Sequence, residues 1–405
     1  MKIAQINATY GVGSTGKICL AISDLLNEKE VENYVLYSAQ GVPGGNGISC
    51  YSKNYTKIQA LKSRIFGNYG FNSMAETRKM IRELEKIGPD VVHLHNIHGH
   101  DCHLGLLFNY FRKKKIKLFW TFHDCWAFTG YCPHFDMVHC DKWKTECYSC
   151  VQRKQYSFIF DRSRELFRRK KQAFAGLDLT IVTPSQWLAN QVKQSFLKDY
   201  PVKVIHNGID LDVFKPTAGD FRERYGIPTT KKILLGVAFG WGLRKGLDVF
   251  IELAKRLDAE KFQIVLVGTD DKVDEQLPGN IISIHRTHDQ KELAEIYTAA
   301  DLFVNPTREE VLGMVNIETL ACGTPVLTFR TGGSPECVDE TCGAVVECDD
   351  VDAMEQEIRR IMDQHPYTAE NCRQHAQYFR ARCCFEEYNE LYCAGSRGEG
   401  GHKIV

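Results

Sequence analysis

Short apolar runs of strand length alternate along the chain with stretches of helical period, the pattern of parallel sheets covered by helices. In the first half the runs are KIAQIN, NYVLYS, DVVHLH, KLFWTF and LTIVTP; in the second they are VKVIHN, KILLGVAF, QIVLVG, IISIH, LFVNP and PVLTF. Helical segments such as Gly246 to Arg256 and Glu292 to Ala300 fall between them. The order of segments starts again near residues 190–215, and the loop PTAGDFRERYGIPTT just beyond is polar and marked by Gly and Pro. The pattern predicts two doubly wound α/β domains, the first over 1–195 and the second over 196–380, with a closing segment at 381–405 that ends in a glycine-rich tail. Such domains bind ligands at the carboxyl ends of their strands, so the chemistry is sought in the loops there.

Bulk properties agree with two domains. A chain of 405 residues with 43% apolar content exceeds the size at which one core usually stops growing. MKIAQINATYG lacks the apolar region of a secretory signal, and no stretch approaches a membrane span. The expectation is a cytoplasmic protein whose 16 cysteines stay reduced, with the inner face of the membrane as a place of contact. The net charge is zero, yet residues 1–190 hold 26 Lys and Arg against 16 Asp and Glu, and the remainder holds 25 against 35. In the basic half, Arg112 to Lys115 form one cluster and Arg162 to Lys171 another. Leu166 and Phe167 sit among the cations of the second, as on a helix lying against anionic lipid or an anionic acceptor; an ordinary solvated helix face is the alternative. No nucleic-acid partner is expected.

GVGSTGKI, at residues 11–18, is almost the phosphate loop of the enzymes that hydrolyse ATP and GTP. That loop needs a Ser or Thr hydroxyl for magnesium where this chain has Ile18. It also needs an acidic magnesium partner at a later strand end, where DVVHLHN offers histidines. An ATPase or kinase using this loop is therefore a rival reading.

The most specific stretch is NPTREEVLGMVNIETLACGTPVLTF, with Glu310 and Glu318 flanking a loop that turns into a helix. An ionised carboxylate has only acceptor sites, and a vicinal diol offers two donors. With VAFGWGLRKG after one strand and THFD after another, this stretch resembles the large retaining glycosyltransferase family numbered four, which has the GT-B fold. HNGID at 206–210 and GGSPE at 332–336 resemble further turns of that family, so the resemblance runs from Gly11 to about Glu340.

The resemblance implies two Rossmann-like domains with an interdomain cleft, the second holding a nucleotide-diphosphate sugar and the first an acceptor. It implies that Glu310 faces the donor sugar's hydroxyls, that Glu318 accepts from the ribose, and that the backbone of Leu312, Gly313, Met314 and Val315 holds sugar and phosphate oxygens. Lys245 matches the lysine that neutralises the diphosphate. The family arginine five residues earlier is Gly240 here, and Arg244 is its candidate substitute. His123 matches the histidine that reaches the donor sugar, Thr287 the residue beside the nucleobase, and Gly13 and Gly16 a cleft-lining turn. A helix near Arg380 to Tyr392 is expected to return to the first domain. The implied reaction moves a hexose-type sugar to an acceptor hydroxyl with retention and no required cofactor. The acceptor would be a glycan or lipid-linked intermediate of bacterial surface polysaccharide or glycolipid synthesis. A nucleotide-sugar epimerase of the same fold is the other rival.

Two clusters suggest metal. His93, His95, His98 and His100 lack acidic or cysteine partners in their motif, so a catalytic metal there is not expected. Cys132, Cys140, Cys147 and Cys150 end in Cys-x-x-Cys and suit a structural zinc clipping a loop; four independent buried cysteines are the alternative.

Overall fold

The computed structural model describes residues 1–42, 44–50, 53–98, 100 and 102–396. The chain divides into two compact units, Met1–His206 together with the closing segment from Cys384, and Asn207–Cys383. The first is built on a parallel sheet of β1 (Lys2–Tyr10), β2 (Glu32–Gly41), β3 (Gly47–Ser49), β4 (Val91–Leu94), β5 (Lys117–Thr121), β6 (Leu179–Thr183) and β7 (Val202–Val204). Its order is β3-β2-β1-β4-β5-β6-β7. The second is built on β8 (Lys232–Val237), β9 (Phe262–Val267), β10 (Ile281–Ile284), β11 (Leu302–Asn305), β12 (Val326–Phe329) and β13 (Gly343–Val346), also parallel, in the order β10-β9-β8-β11-β12-β13.

Helices cover both faces of such sheets, which is why the strands read as continuous apolar runs instead of alternating ones. Every residue of β4, β11 and β12 is buried. The helix Val351–Gln364 shows the matching logic: Met354, Ile358, Ile361 and Met362 recur at helical spacing and are buried. The Asp350 carboxylate caps its start by accepting from the Ala353 N–H. Strand order reverses between β1 and β4 and between β8 and β11, so each unit has a crevice at the carboxyl ends of those strands.

Three sequence expectations need correction. VKVIHN is β7, paired in parallel with β6 through Ile181↔Val202, so the first unit runs to His206 and not to residue 195. Its three half-buried residues read alike at the edge of either sheet, and the pairing decides. The edge strands β3 and β13 were not predicted, being too short to show a period. Finally, Leu166 and Phe167 are buried in the helix Ser163–Phe174, which spends its apolar face on the core. Lys170 is fully buried there, its ammonium donating to the carbonyls of Trp126 at 2.7 Å and Thr129 at 3.1 Å, and burial lowers its pKa to about 7. This basic run is not a lipid-facing helix.

The helix Ala381–Ser396 buries Cys384, Phe385, Tyr388 and Tyr392 in the first unit. The Tyr392 hydroxyl lies 2.6 Å from His93 Nδ1, and the Tyr388 hydroxyl 3.1 Å from Thr121 Oγ1. Among the described residues no helix is long and apolar enough to cross a membrane.

Candidate active site

In the second unit, Lys245, Glu310 and the start of the helix Met314–Ala321 converge at the carboxyl ends of β8 and β11. Lys245 ends the turn that follows β8. Gly246, at φ 74°, brings this turn so close to β11 that an added Cβ would lie 2.3 Å from the Pro306 carbonyl oxygen. The Arg244 carbonyl accepts from the Arg308 N–H at 2.9 Å, fixing the turn from the other side. Arg308, which sequence reasoning missed, completes the clamp with paired hydrogen bonds of 2.8 Å to both Asp248 oxygens and one of 2.6 Å to Asp349. Held in this way, Lys245 Nζ donates to Glu310 Oε2 at 2.8 Å, both side chains being mostly buried.

Glu310 is held by its backbone as well. Gly332, at φ 55°, passes so near that a Cβ there would sit 1.6 Å from the Glu310 carbonyl oxygen, and the Gly333 N–H donates to that same oxygen. No side chain larger than hydrogen fits. Gly313, at φ 93°, starts the helix Met314–Ala321, whose first-turn N–H groups point toward the same end of the sheet. A buried chain of amides and hydroxyls fixes that helix: Asn305 Nδ2 donates to Asn316 Oδ1 at 2.7 Å, Asn316 Nδ2 donates to Ser334 Oγ at 2.8 Å, and Ser334 Oγ is 2.7 Å from Thr328 Oγ1. Sequence signals for these partners are faint, since Asn305, Asn316 and Thr328 are each one polar residue in or at the end of an apolar run and Ser334 stands in a glycine turn.

One helical turn on, the Glu318 carboxylate accepts from the Tyr297 hydroxyl at 3.0 Å. Burial, reinforced by the Glu318 charge, pushes the Tyr297 phenol well above its ordinary pKa, so it remains a donor. Tyr297 was missed because it lies in a different helix, Gln290–Ala299. Arg244 is exposed, and among the described residues its guanidinium has no partner. Thr287 stands in the loop after β10, at the same edge of the sheet but beyond β9.

In the first unit, His123 follows β5, and its Nε2 is 3.3 Å from His95 Nδ1; His95 Nε2 in turn is 3.1 Å from Gln5 Oε1. Burial lowers the pKa of His123 to about 4, overcoming the opposing pull of Asp124, so the imidazole is neutral at pH 7. Burial would raise Asp124, yet the His98 charge and hydrogen bond, 2.9 Å away, bring it to about 2. His93, buried and bound to Thr121 and Tyr392, is a structural anchor.

Gly13 opens the helix Gly13–Glu28, so residues 13–18 are already helical and leave no loop to wrap a triphosphate. Gly16 packs against β1, where a Cβ would lie 2.6 Å from Thr9 Oγ1. The rival ATPase reading loses its cradle here.

The four cysteines Cys132, Cys140, Cys147 and Cys150 lie near enough for their charges to interact. Thiolates around one tetrahedral zinc lie about 4 Å apart. The described groups that bring three donor atoms within 4.8 Å of one another are Asp339, Cys342 and His375, and Asp271, Asp274 and His285. As placed, no three of these thiols lie within that 4.8 Å span. Cys147 Sγ accepts from the Gly130 N–H at 3.2 Å, and burial raises its pKa to about 12.

Comparison with known proteins fits this arrangement. A putative colanic acid biosynthesis glycosyl transferase, WcaC of Escherichia coli (strain K12), is 23% identical over 87% of this chain and 88% of its own length. A D-inositol 3-phosphate glycosyltransferase of Mycolicibacterium smegmatis is 32% identical over 41% of each chain. Among solved structures, sucrose-phosphate synthase from Thermosynechococcus elongatus superposes with a TM-score of 0.70 at 18% identity, covering 97% of this chain and 98% of its own. Anabaena Alr3699/HepE in complex with UDP gives a TM-score of 0.68 at 16% identity, covering 97% and 100%. These likenesses show the GT-B fold. The family model for Glycosyltransferase Family 4 matches residues 18–213 and that for Glycosyl transferases group 1 matches residues 231–364, so the chain is a member of the group 1/family 4 glycosyltransferases.

Proposed function

We propose that this glycosyltransferase moves a hexose from a nucleotide-diphosphate sugar to an acceptor hydroxyl with retention of anomeric configuration. The observation that carries the reading is the 2.8 Å contact between Lys245 and Glu310 beside the start of the helix Met314–Ala321. A diphosphate against the ammonium and the helix amides would bring its sugar's hydroxyls to the neighbouring carboxylate. Glu318, oriented by Tyr297, accepts from the ribose hydroxyls. Solved relatives in complex with UDP and with UDP-glucose support this class of donor.

In the reaction the acceptor oxygen bonds to the anomeric carbon as the bond from that carbon to the phosphate oxygen breaks. The electron pair leaves with the diphosphate, and the acceptor's proton passes to a departing phosphate oxygen. Lys245 and the helix amides stabilise the charge that builds on the leaving group. Attack and departure share one face of the sugar, which preserves configuration without a nucleophilic carboxylate on the far side.

The acceptor is a glycan or a lipid-linked intermediate, with surface polysaccharide synthesis as its setting, a reading supported by the similarity to WcaC. A panel of nucleotide sugars, tested for binding and slow hydrolysis, identifies the donor, and proton NMR of the fresh product reads the anomer. Product of inverted configuration would refute the mechanism. Conversion of donor to its epimer without acceptor would favour the epimerase reading.

A further inference from the structure

Eight of the sixteen exposed large apolar side chains among the described residues fall in two short segments, 58–66 and 148–160, both in the first unit. Ile58, Leu61 and Phe66 are 53%, 57% and 48% exposed on the helix Lys53–Phe66. Phe158, Ile159 and Phe160 are 56%, 58% and 46% exposed on the loop ahead of the helix Ser163–Phe174. The two segments form one surface. The Phe158 N–H donates to the Arg64 carbonyl at 2.8 Å, and the Tyr131 hydroxyl lies 3.4 Å from the carbonyl oxygens of both Gly67 and Phe160. Arg153 donates to the carbonyls of Phe158 and Ile159, so the backbone of the tip is satisfied from within while its side chains face outward.

The charge around this surface is mostly positive. Residues 57–67 contain Lys57, Lys62 and Arg64, and residues 148–160 contain Arg153 and Lys154, with no Asp or Glu in either stretch; the adjoining Asp161 carboxylate accepts from the Cys150 and Ser163 N–H groups at 2.7 and 2.9 Å. The Arg64 guanidinium flanks the Phe158 ring and that of Arg162 flanks the Phe160 ring, each 5.8 Å from the ring centre.

We propose that this patch docks the first unit on an anionic phospholipid surface. The Phe158-Ile159-Phe160 tip and the apolar residues of the helix Lys53–Phe66 enter the headgroup region, and the surrounding cations meet lipid phosphates. A second copy of the chain is a poor occupant, because a two-fold contact would set these unbalanced cations against themselves. The lipid-facing element is thus a short helix and a loop, in place of the long basic helix that the sequence suggests. The inference stands on the first unit's surface alone, so it fails or holds separately from the donor reading.

The test is flotation of the full chain with vesicles of phosphatidylcholine alone and of phosphatidylcholine mixed with phosphatidylglycerol. Binding is expected to the mixed vesicles only and to weaken as salt is raised. Partition should fall about tenfold or more in a Phe158→Ser, Ile159→Ser double variant and in a Lys62→Glu, Arg64→Glu variant. Melting and slow donor hydrolysis should stay unchanged in both. Absence of binding, equal binding to neutral vesicles, or variants that bind like the parent would each overturn the proposal. So would a dimer in the ultracentrifuge that the Ser variant abolishes. The salt dependence of the unsubstituted chain provides a check that does not depend on any variant folding.

Discussion

Lys245 and Glu310 are two ordinary surface residue types made unusual by their setting, a mostly buried contact with backbone clamps on both sides. An isolated surface pair of this kind is worth little. Groups preorganised toward developing charge are worth far more to the reaction, roughly a hundredfold or more in rate for each donor removed. Glu310→Gln and Lys245→Ala are each expected to lower kcat by about that factor with modest change in KM, read from steady-state kinetics once the donor is known. Turnover within a fewfold of the parent in folded protein would remove both from the mechanism. A second residue-scale consequence concerns pH. His93 and His123 have folded pKa values of about 3 and about 4, below the usual histidine value, because burial disfavours their charged forms. The unfolded chain therefore binds more protons than the folded one between these values and about pH 6.5, and stability falls as pH drops through that window. The slope approaches about 1.4 kcal/mol per pH unit for each histidine. Thermal melting followed from pH 7.5 to 4 should show this loss, and His93→Gln should flatten part of it.

At the scale of elements, loops are fixed by contacts that leave no room for a side chain. Gly332 touches the backbone of Glu310, so Gly332→Ala must displace that backbone or itself. The variant is expected to lose at least tenfold in kcat, more than its change in melting temperature would suggest, because small misplacements of reacting groups are costly. Gly44→Ala, in a turn with open space around it but also at positive φ, controls for backbone strain alone. Near-parent activity in Gly332→Ala would show that the loop yields without moving the carboxylate. The motif at Asn305 to Phe329 was legible because strand, loop and helix occupy consecutive residues, and the carboxylates are recognisable in sequence. Tyr297, Asn316 and Arg308 were not legible, since a buried hydroxyl, amide or guanidinium acquires meaning only from a partner distant in sequence.

Across the whole molecule, the two parallel sheets were readable from apolar runs alone, whereas the sheet that Val202–Val204 joins was not, and the return of the last helix to the first unit was implied only by the family resemblance. A half-buried tripeptide such as Val202–Val204 carries no label for one sheet or the other. The helix Ala381–Ser396 belongs to the first unit through contacts that join residues 299 and 267 positions apart, His93 with Tyr392 and Thr121 with Tyr388. Phe385, Tyr388 and Tyr392 are all buried there. At about 1.5–3 kcal/mol for each large apolar side chain, their loss is of the same order as the whole stability of an ordinary domain. A chain ending at Cys383 should consequently lose protection in the first unit and keep it in the second, even though the deleted residues directly follow the second in sequence. Amide hydrogen exchange distinguishes the two outcomes: peptides covering β4 and β5 should exchange far faster in the truncated chain, and those covering β8, β11 and β12 should not. Equal loss across both sheets would mean that the helix supports the second unit as well. An unchanged pattern would mean that its tyrosines are not needed to hold the histidines of β4 in place.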